Sequence, residues 1–222
     1  MLGNQVCVLP ILFFSAFIVY SQDWTLKTPP RSGADPNWNA SFESEHFAVW
    51  YSSQFPCSES QARGGLNQLE TIFDFYVNEK QFATGILNRN PNYKVNCCII
   101  ENGLYGGLDS EGHPGMWIGV GALADKWGLA HEFTHALQGV TGGFRGGREN
   151  YTGWFWECHA NWMPHQLFRE KPHCSEMYLR MSNLYYGSHR CRYCNWQFLE
   201  YLIWAPAKPA WQRLLISVYK RM

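Results

Sequence analysis

The sequence predicts an α+β domain with a small mixed sheet, an active-site helix and a mostly helical C-terminal lobe. Most strand-like apolar runs lie before residue 120, and helical periodicity dominates after it. The second observation is the stretch His131-Glu132-Phe133-Thr134-His135, because two histidines four residues apart project from one face of a helix. The 222 residues suit one domain, or one domain with two lobes.

The first half of the chain supplies the predicted sheet. Residues 22–44 are polar and rich in turn residues, which indicates an N-terminal arm. Residues 45–51 and 93–100 read as strands, the second a central one because its end is uniformly apolar. Between them, apolar residues repeat at three and four over 59–79, which predicts a helix.

A short strand is predicted over Gly115–Gly119, between glycine-rich stretches and just before the two histidines. Two interpretations of this strand stay open. It is either the sheet edge that pairs with an extended peptide substrate or a plain edge strand.

The second half of the chain is predicted to be helical. The histidine pair lies in a helix over about 125–139, which Gly139 ends. A second helix begins at Gly153 and is stopped or kinked at Pro164, and two more are expected over 174–186 and 196–203. The composition changes at Ala205, so residues 45–204 form the predicted catalytic domain and 205–222 an atypical tail.

Composition and the N-terminus indicate which partners and which cellular location to expect. Eighteen basic and eighteen acidic residues cancel, and no basic stripe is present to pair with phosphates, so we expect no nucleic-acid partner. Residues 6–19 form an apolar run too short for a comfortable membrane span, and polar residues follow at once. We therefore expect a signal peptide over 1–21, a secreted protein, and no stable membrane association after cleavage. An uncleaved anchor is the alternative.

Seven cysteines remain once Cys7 leaves with the signal peptide. In an oxidising compartment they predict disulfides, whose connectivity the sequence leaves open. The alternative is a structural zinc site, whose candidate ligands are His173, Cys174, His189, Cys191 and Cys194.

The spacing of the histidine stretch favours a zinc site. His131 and His135 share one helix face with Glu132 beside them, while apolar residues occupy the opposite face. Two imidazoles on one face bind a single zinc ion, and the adjacent carboxylate is placed to act as general base. The alternative is an ordinary amphipathic helix whose histidines are satisfied by hydrogen bonds.

A catalytic zinc ion needs a third protein ligand. Gln138 and Thr141 exclude the extended motif that places a third histidine shortly after the second. Glu157 lies in an apolar helical context, where a carboxylate is costly unless it is paired, protonated or bound to metal. His159 competes for this role, since it points away from Glu157 on a helix. We favour Glu157, with Asn161 one turn later as the partner of a ligand imidazole.

Glu157 to Asn161 resembles the downstream helix of gluzincin peptidases, with Asn in place of the more usual Asp. The blocks 131–138 and 154–163 are together similar to the secreted Svx/AvrXca-type virulence and avirulence family of plant-pathogenic microbes. The resemblance covers roughly residues 45–202. It implies a secreted, zincin-like domain and establishes no substrate.

The sequence therefore predicts a zinc metallopeptidase that acts on protein or peptide substrates, with His131, His135 and Glu157 as ligands and Glu132 as general base. Tyr185, Tyr186 and His189 lie in the right part of the chain to stabilise an oxyanion, and none is favoured. The alternative function is a secreted effector of zincin-like fold that binds host protein or glycan without turnover. A third is a structural extracellular protein held by disulfides. The oligomeric state stays open.

Overall fold

The structure is a computed structural model that describes residues 24–31, 35–83, 93–141, 153–170 and 193–204. These residues form an α+β domain with one five-stranded mixed sheet, so the predicted class is confirmed. The predicted signal peptide, the predicted helix over 174–186 and the tail over 205–222 lie outside the described residues.

The sheet has parallel strands at its centre and antiparallel strands at both edges. In chain order the strands are β1 (Ala40–Glu43), β2 (Phe47–Tyr51), β3 (Val95–Ile100), β4 (Leu104–Leu108) and β5 (Pro114–Gly119). Their spatial order is β1-β2-β3-β5-β4. β2, β3 and β5 are parallel, whereas β1 and β4 run antiparallel to their neighbours. The predicted central strand is confirmed, since β3 is the third of the five.

The described ranges contain four of the predicted α-helices. They are α1 (Glu59–Phe73), α2 (Lys126–Val140), α3 (Gly153–Leu167) and α4 (Trp196–Trp204). Gly139 does not end α2 as predicted, because the helix continues to Val140. A π-helical segment, Asp74–Glu79, extends α1, and a 3₁₀ helix, Val120–Ala124, precedes α2. Ser58 caps α1 in a capping box with Gln61, which fixes where the helix begins. α3 does not stop at Pro164 but continues to Leu167.

Two sequence interpretations of the sheet need correction. The strand near 115–119 is not an edge strand, because β5 lies between β3 and β4. The edge strand on this side of the sheet is β4. The sequence did not predict β4, because two of its five residues are glycines and glycine weakens a strand pattern. In addition, the segment read as a polar arm contains β1, which pairs with β2, and Trp24, which packs edge-on against Phe73 at 5.5 Å.

α1 and α2 pack on the same face of the sheet and enclose the main core. Phe133 of α2 is fully buried, and its ring lies 5.1 Å from Phe47, 6.0 Å from Phe73 and 6.2 Å from Tyr76. This aromatic cluster joins β2, α1 and α2. The apolar side predicted for α2 is therefore the side that packs on the sheet, and the histidines project away from this core.

Glycines let β4 and α2 approach closely. A Cβ atom added at Gly106 of β4 would come within 2.9 Å of the Glu132 Cα and closer still to the Glu132 carbonyl oxygen. On the helix, a Cβ at Gly128 would meet Leu104 at 2.6 Å, and one at Gly139 would meet Leu108 at 2.7 Å. Backbone thus lies against backbone where β4 passes α2.

This contact predicts opposite effects for two neighbouring glycines. Gly106→Ala should lower the free energy of unfolding by roughly 1–3 kcal/mol, because the methyl group meets helix backbone that cannot turn aside. Gly107→Ala is the matched control, since a Cβ there meets nothing within 4 Å. Alanine in a strand should leave stability unchanged or raise it by up to about 1 kcal/mol. Urea denaturation of both variants measures the difference, and equal effects would contradict the close contact.

Candidate metal centre

Three metal-ligating atoms converge at the end of the cleft between β4 and α3. His131 Nε2 and His135 Nε2 are 3.1 Å apart. Glu157 Oε2 lies 3.3 Å from the first and 3.2 Å from the second. Among the described residues, these three form a group that could hold a metal ion. We call them the triad.

The triad suits zinc in chemistry and in size. Two imidazole nitrogens and one carboxylate oxygen are a known catalytic ligand set for this metal, with a fourth position left for water. Tetrahedral zinc with arms of about 2.0–2.1 Å separates its ligand atoms by about 3.3–3.4 Å. The observed separations of 3.1–3.3 Å approach this value without any further movement of the helices.

Local folding explains how residues distant in sequence meet here. His131 and His135 are one turn apart on α2, and their rings stand at 83° with centroids 4.7 Å apart. α3 packs against α2 and presents Glu157 to both rings. The structure therefore brings together the three residues predicted as ligands.

Each ligand histidine contacts a side-chain carboxamide through its other ring nitrogen. Asn161 Oδ1 lies 2.7 Å from His131 Nδ1, the contact expected from the spacing on α3. Gln138 Oε1 lies 2.8 Å from His135 Nδ1. Gln138 was missed as a functional residue, although its position three residues after His135 on the same helix face was a usable signal. Amide oxygens accept the Nδ1 protons, so loss of the Nε2 protons would leave both Nε2 lone pairs for a metal ion.

Glu132 is buried beside the triad. Its side chain is 8% exposed, and Oε1 lies 4.0 Å from His131 Nε2. Burial raises the pKa of Glu132 to about 7, with the Glu157 charge acting in the same direction. The charge of His131 and a hydrogen bond from the Gly106 backbone N–H act against this rise. Glu132 can thus exchange a proton near neutral pH.

Glu157 is held as a carboxylate. Burial alone would raise its pKa, but hydrogen bonds and positive charge from His131 and His135 outweigh burial and keep this pKa far below its usual range. A carboxylate that stays ionised among two imidazoles is available to a cation at any ordinary pH.

His159 does not join the triad. Its Nδ1 lies 2.8 Å from Gln138 Nε2, and its ring packs edge-on against Phe82 at 5.5 Å. Burial, helped by the charge of His135, lowers the pKa of His159 to about 3, so its ring is neutral. Of the two competing residues on α3, the structure places Glu157 at the ligand position.

A cleft of about 580 Å³ opens in front of the triad and is mostly apolar. The edge strand forms one wall along its whole length, and Gly139 of α2 lies at its margin. Trp156 and Tyr193 contribute aromatic surface around the ligand residues. Neither was singled out from the sequence, because nothing in their local pattern distinguishes them from other aromatic residues of the chain.

Three of the cysteines for which disulfides were predicted are not bonded to another cysteine. Cys57, Cys97 and Cys98 are buried free thiols. Cys97 and Cys98 are adjacent on β3 and point to opposite faces, and burial raises the pKa of both far above the usual range. Cys194 is also buried, whereas His173, Cys174, His189 and Cys191 lie outside the described residues.

Fold and site define an α+β protein with a candidate metal centre of two histidines and one glutamate. The chain belongs to a protein family described as a family of unknown function (DUF6055), whose profile matches residues 22–214. No curated protein and no solved structure gives a significant match. Of the helices in the described ranges, none has the length and apolar character needed to span a membrane.

The triad predicts one zinc ion per chain in purified protein. Glu157→Gln should weaken zinc affinity by more than about 100-fold, beyond the 10–100-fold typical of losing a partner outside the ligand shell. His159→Phe should retain one zinc per chain, because His159 faces Gln138 and not the triad. Zinc content and a competition titration with a chelating dye measure both.

His113→Ala is the matched control for a histidine outside the site, since its ring contacts Tyr93. It should leave zinc content unchanged. Zinc lost from His159→Phe but kept in Glu157→Gln would move the third ligand to His159.

Proposed function

We propose that this chain is a secreted zinc metallopeptidase of zincin-like fold, with Glu132 as general base. The observation that carries the proposal is the triad with a buried carboxylate beside it, in a cleft walled by a sheet edge. His131, His135 and Glu157 would hold the metal. A bound zinc ion supplies Lewis acidity, which activates a water molecule and polarises a carbonyl oxygen.

Glu132 has the position and acidity that a general base needs. The Gly106 N–H hydrogen bond and the close backbone contact hold its carboxylate in the cleft. A general base has to accept a proton from the attacking water and return it to the leaving amine, and burial raises the pKa of this carboxyl group toward neutrality.

β4 is the strand that an extended peptide would join. The Gly103 carbonyl and the Asp109 N–H bond toward the β5 side, to Gly119 and His113. Backbone groups alternate along a strand, so those of Leu104, Gly106 and Leu108 point away from β5. The Gly106 N–H is already donated to Glu132, which leaves its carbonyl and the backbone groups of Leu104 and Leu108 for a peptide. A peptide pairing with this edge would lie along the triad, which is the β-augmentation mode of recognition.

The oxyanion that develops during hydrolysis needs a hydrogen-bond donor. Tyr105 and Tyr193 line the cleft, and a phenol O–H is a donor of the required kind. The candidates named from the sequence, Tyr185, Tyr186 and His189, lie outside the described residues.

Secretion and the resemblance to the Svx/AvrXca-type family remain predictions that fit this function. The apolar run over residues 6–19 supports export of the mature chain. Release to the outside of the cell would give a peptidase access to foreign protein substrates. The matched family carries no functional description that bears on either point.

A second candidate is an effector that binds without turnover. Tyr105 and Leu108 favour it, because their side chains on the edge strand are 61% and 40% exposed. Exposed aromatic and aliphatic side chains at the rim of a cleft are typical of surfaces that bind protein or glycan. In this function the zinc site would stabilise the fold and Glu132 would have no chemical role.

Substitution of Glu132 separates the two functions. Glu132→Gln should lower kcat for cleavage of an unfolded, fluorescently labelled protein by about 10²–10⁴-fold, the usual contribution of a general base. Zinc content should stay at one ion per chain, because Glu132 is not a member of the triad.

Glu101→Gln serves as the control, since Glu101 is an exposed glutamate in the turn after β3. It should cleave like the wild type. Cleavage of equal rate by Glu132→Gln would exclude the general-base role, and zinc-loaded wild-type protein without any cleavage would favour the binding effector.

A further inference from the structure

Gln138 sits at the centre of a hydrogen-bonded chain behind His135. Its Oε1 lies 2.8 Å from His135 Nδ1. Its Nε2 lies 3.2 Å from the Trp156 carbonyl oxygen and 2.8 Å from His159 Nδ1. Gln138 is buried, with 4% of its surface exposed, so water does not compete for these contacts. α2 and α3 are thereby joined by one carboxamide.

The Trp156 carbonyl decides which way this carboxamide faces. A backbone carbonyl oxygen only accepts hydrogen bonds, so the NH₂ group of Gln138 must point toward it. With the amide reversed, two oxygens would face each other without a proton between them. The second N–H of the same NH₂ group then points to His159 Nδ1, which accepts it.

The orientation of Gln138 in turn fixes the proton on His135. Because Gln138 Oε1 only accepts, His135 Nδ1 must carry its proton and donate it. In the neutral ring, the state that binds a metal ion, the His135 Nε2 lone pair is then directed at His131 Nε2 and Glu157 Oε2. Asn161 repeats this construction for His131, since its Nδ2 donates to the Tyr193 carbonyl at 2.7 Å while its Oδ1 faces His131.

We propose that Gln138, oriented by the Trp156 carbonyl and by His159, is a positioning residue that fixes the metal-binding tautomer of His135. The proposal rests on the metal centre of the proposed function but not on peptide hydrolysis. It gives His159 a role in the site without making it a ligand. It also means that the tautomer of each histidine is fixed by a different residue, that of His135 by Gln138 and that of His131 by Asn161.

Zinc affinity of single variants tests this role. Gln138→Met keeps the volume but removes the amide, and zinc affinity should fall by about 10–100-fold. His159→Phe should give a smaller loss, of about 2–10-fold, because the Trp156 carbonyl still orients the amide. Gln68→Met is the matched control, as Gln68 also donates to a backbone carbonyl, that of Leu123, outside the triad. It should bind zinc like the wild type.

Nitrogen-15 NMR of histidine-labelled, zinc-loaded protein reads the tautomer itself. In the wild type, His135 should bind zinc through Nε2 and show a slowly exchanging Nδ1–H. In Gln138→Met this proton should exchange rapidly for His135 only, and in Asn161→Leu for His131 only. A merely structural role would disturb both histidines together or neither.

Several outcomes would overturn the proposal. These are zinc bound through His135 Nδ1 in the wild type, zinc affinity of Gln138→Met within twofold of the wild type, and equal losses in Gln138→Met and Gln68→Met. The first is read on the wild type, so it holds even where a variant fails to fold. Zinc binding with the expected tautomer but without peptide cleavage would overturn the peptidase function and leave the positioning role standing. A wild type that binds no zinc would overturn both.

Discussion

The site depends on the contact between backbone and backbone where β4 crosses α2. Gly106 admits the Glu132 carbonyl, and Gly128 and Gly139 admit the leucines that flank it on the strand. This contact sets the distance between the sheet edge and the helix that carries both histidines. The same glycine donates its N–H to the Glu132 carboxylate, so the residue that brings the strand close also orients the proposed general base. A larger residue at position 106 would alter the cleft, the base and the edge strand together.

The amides that contact the histidines add no charge to the centre. Glu157 is held ionised, whereas burial raises the pKa of Glu132 to about 7. Asn161 and Gln138 orient the histidines as neutral amides, each tied to a backbone carbonyl. Aspartate or glutamate at either place would add an uncompensated negative charge next to a buried site, at a desolvation cost of several kcal/mol. Neutral partners therefore suit a centre in which His135 and both amide side chains are buried.

Much of this arrangement was predictable because its signals are local. The i, i+4 histidines, the capped start of α1 and the apolar run of β3 each follow from a short stretch of sequence. Glu157 was predictable because a carboxylate among aromatic residues needs a partner. β4 was not predictable, because the glycines that allow its close contact with α2 also remove the alternating pattern of a strand. Tyr193 was missed because its contact with Asn161 arises only where the later chain meets α3 in space. For Gln138 the spacing from His135 was a local signal, but its contacts with Trp156 and His159 depend on how α2 and α3 pack.

The bond from Asn161 to the Tyr193 carbonyl spans 32 residues and returns the chain to the metal centre. Tyr193 lies just before α4, which packs against α3. The acceptor that orients Asn161 is a backbone carbonyl and not the phenol of Tyr193. Every residue type carries such a carbonyl, so the side chain at position 193 can change without removing the group that orients the amide.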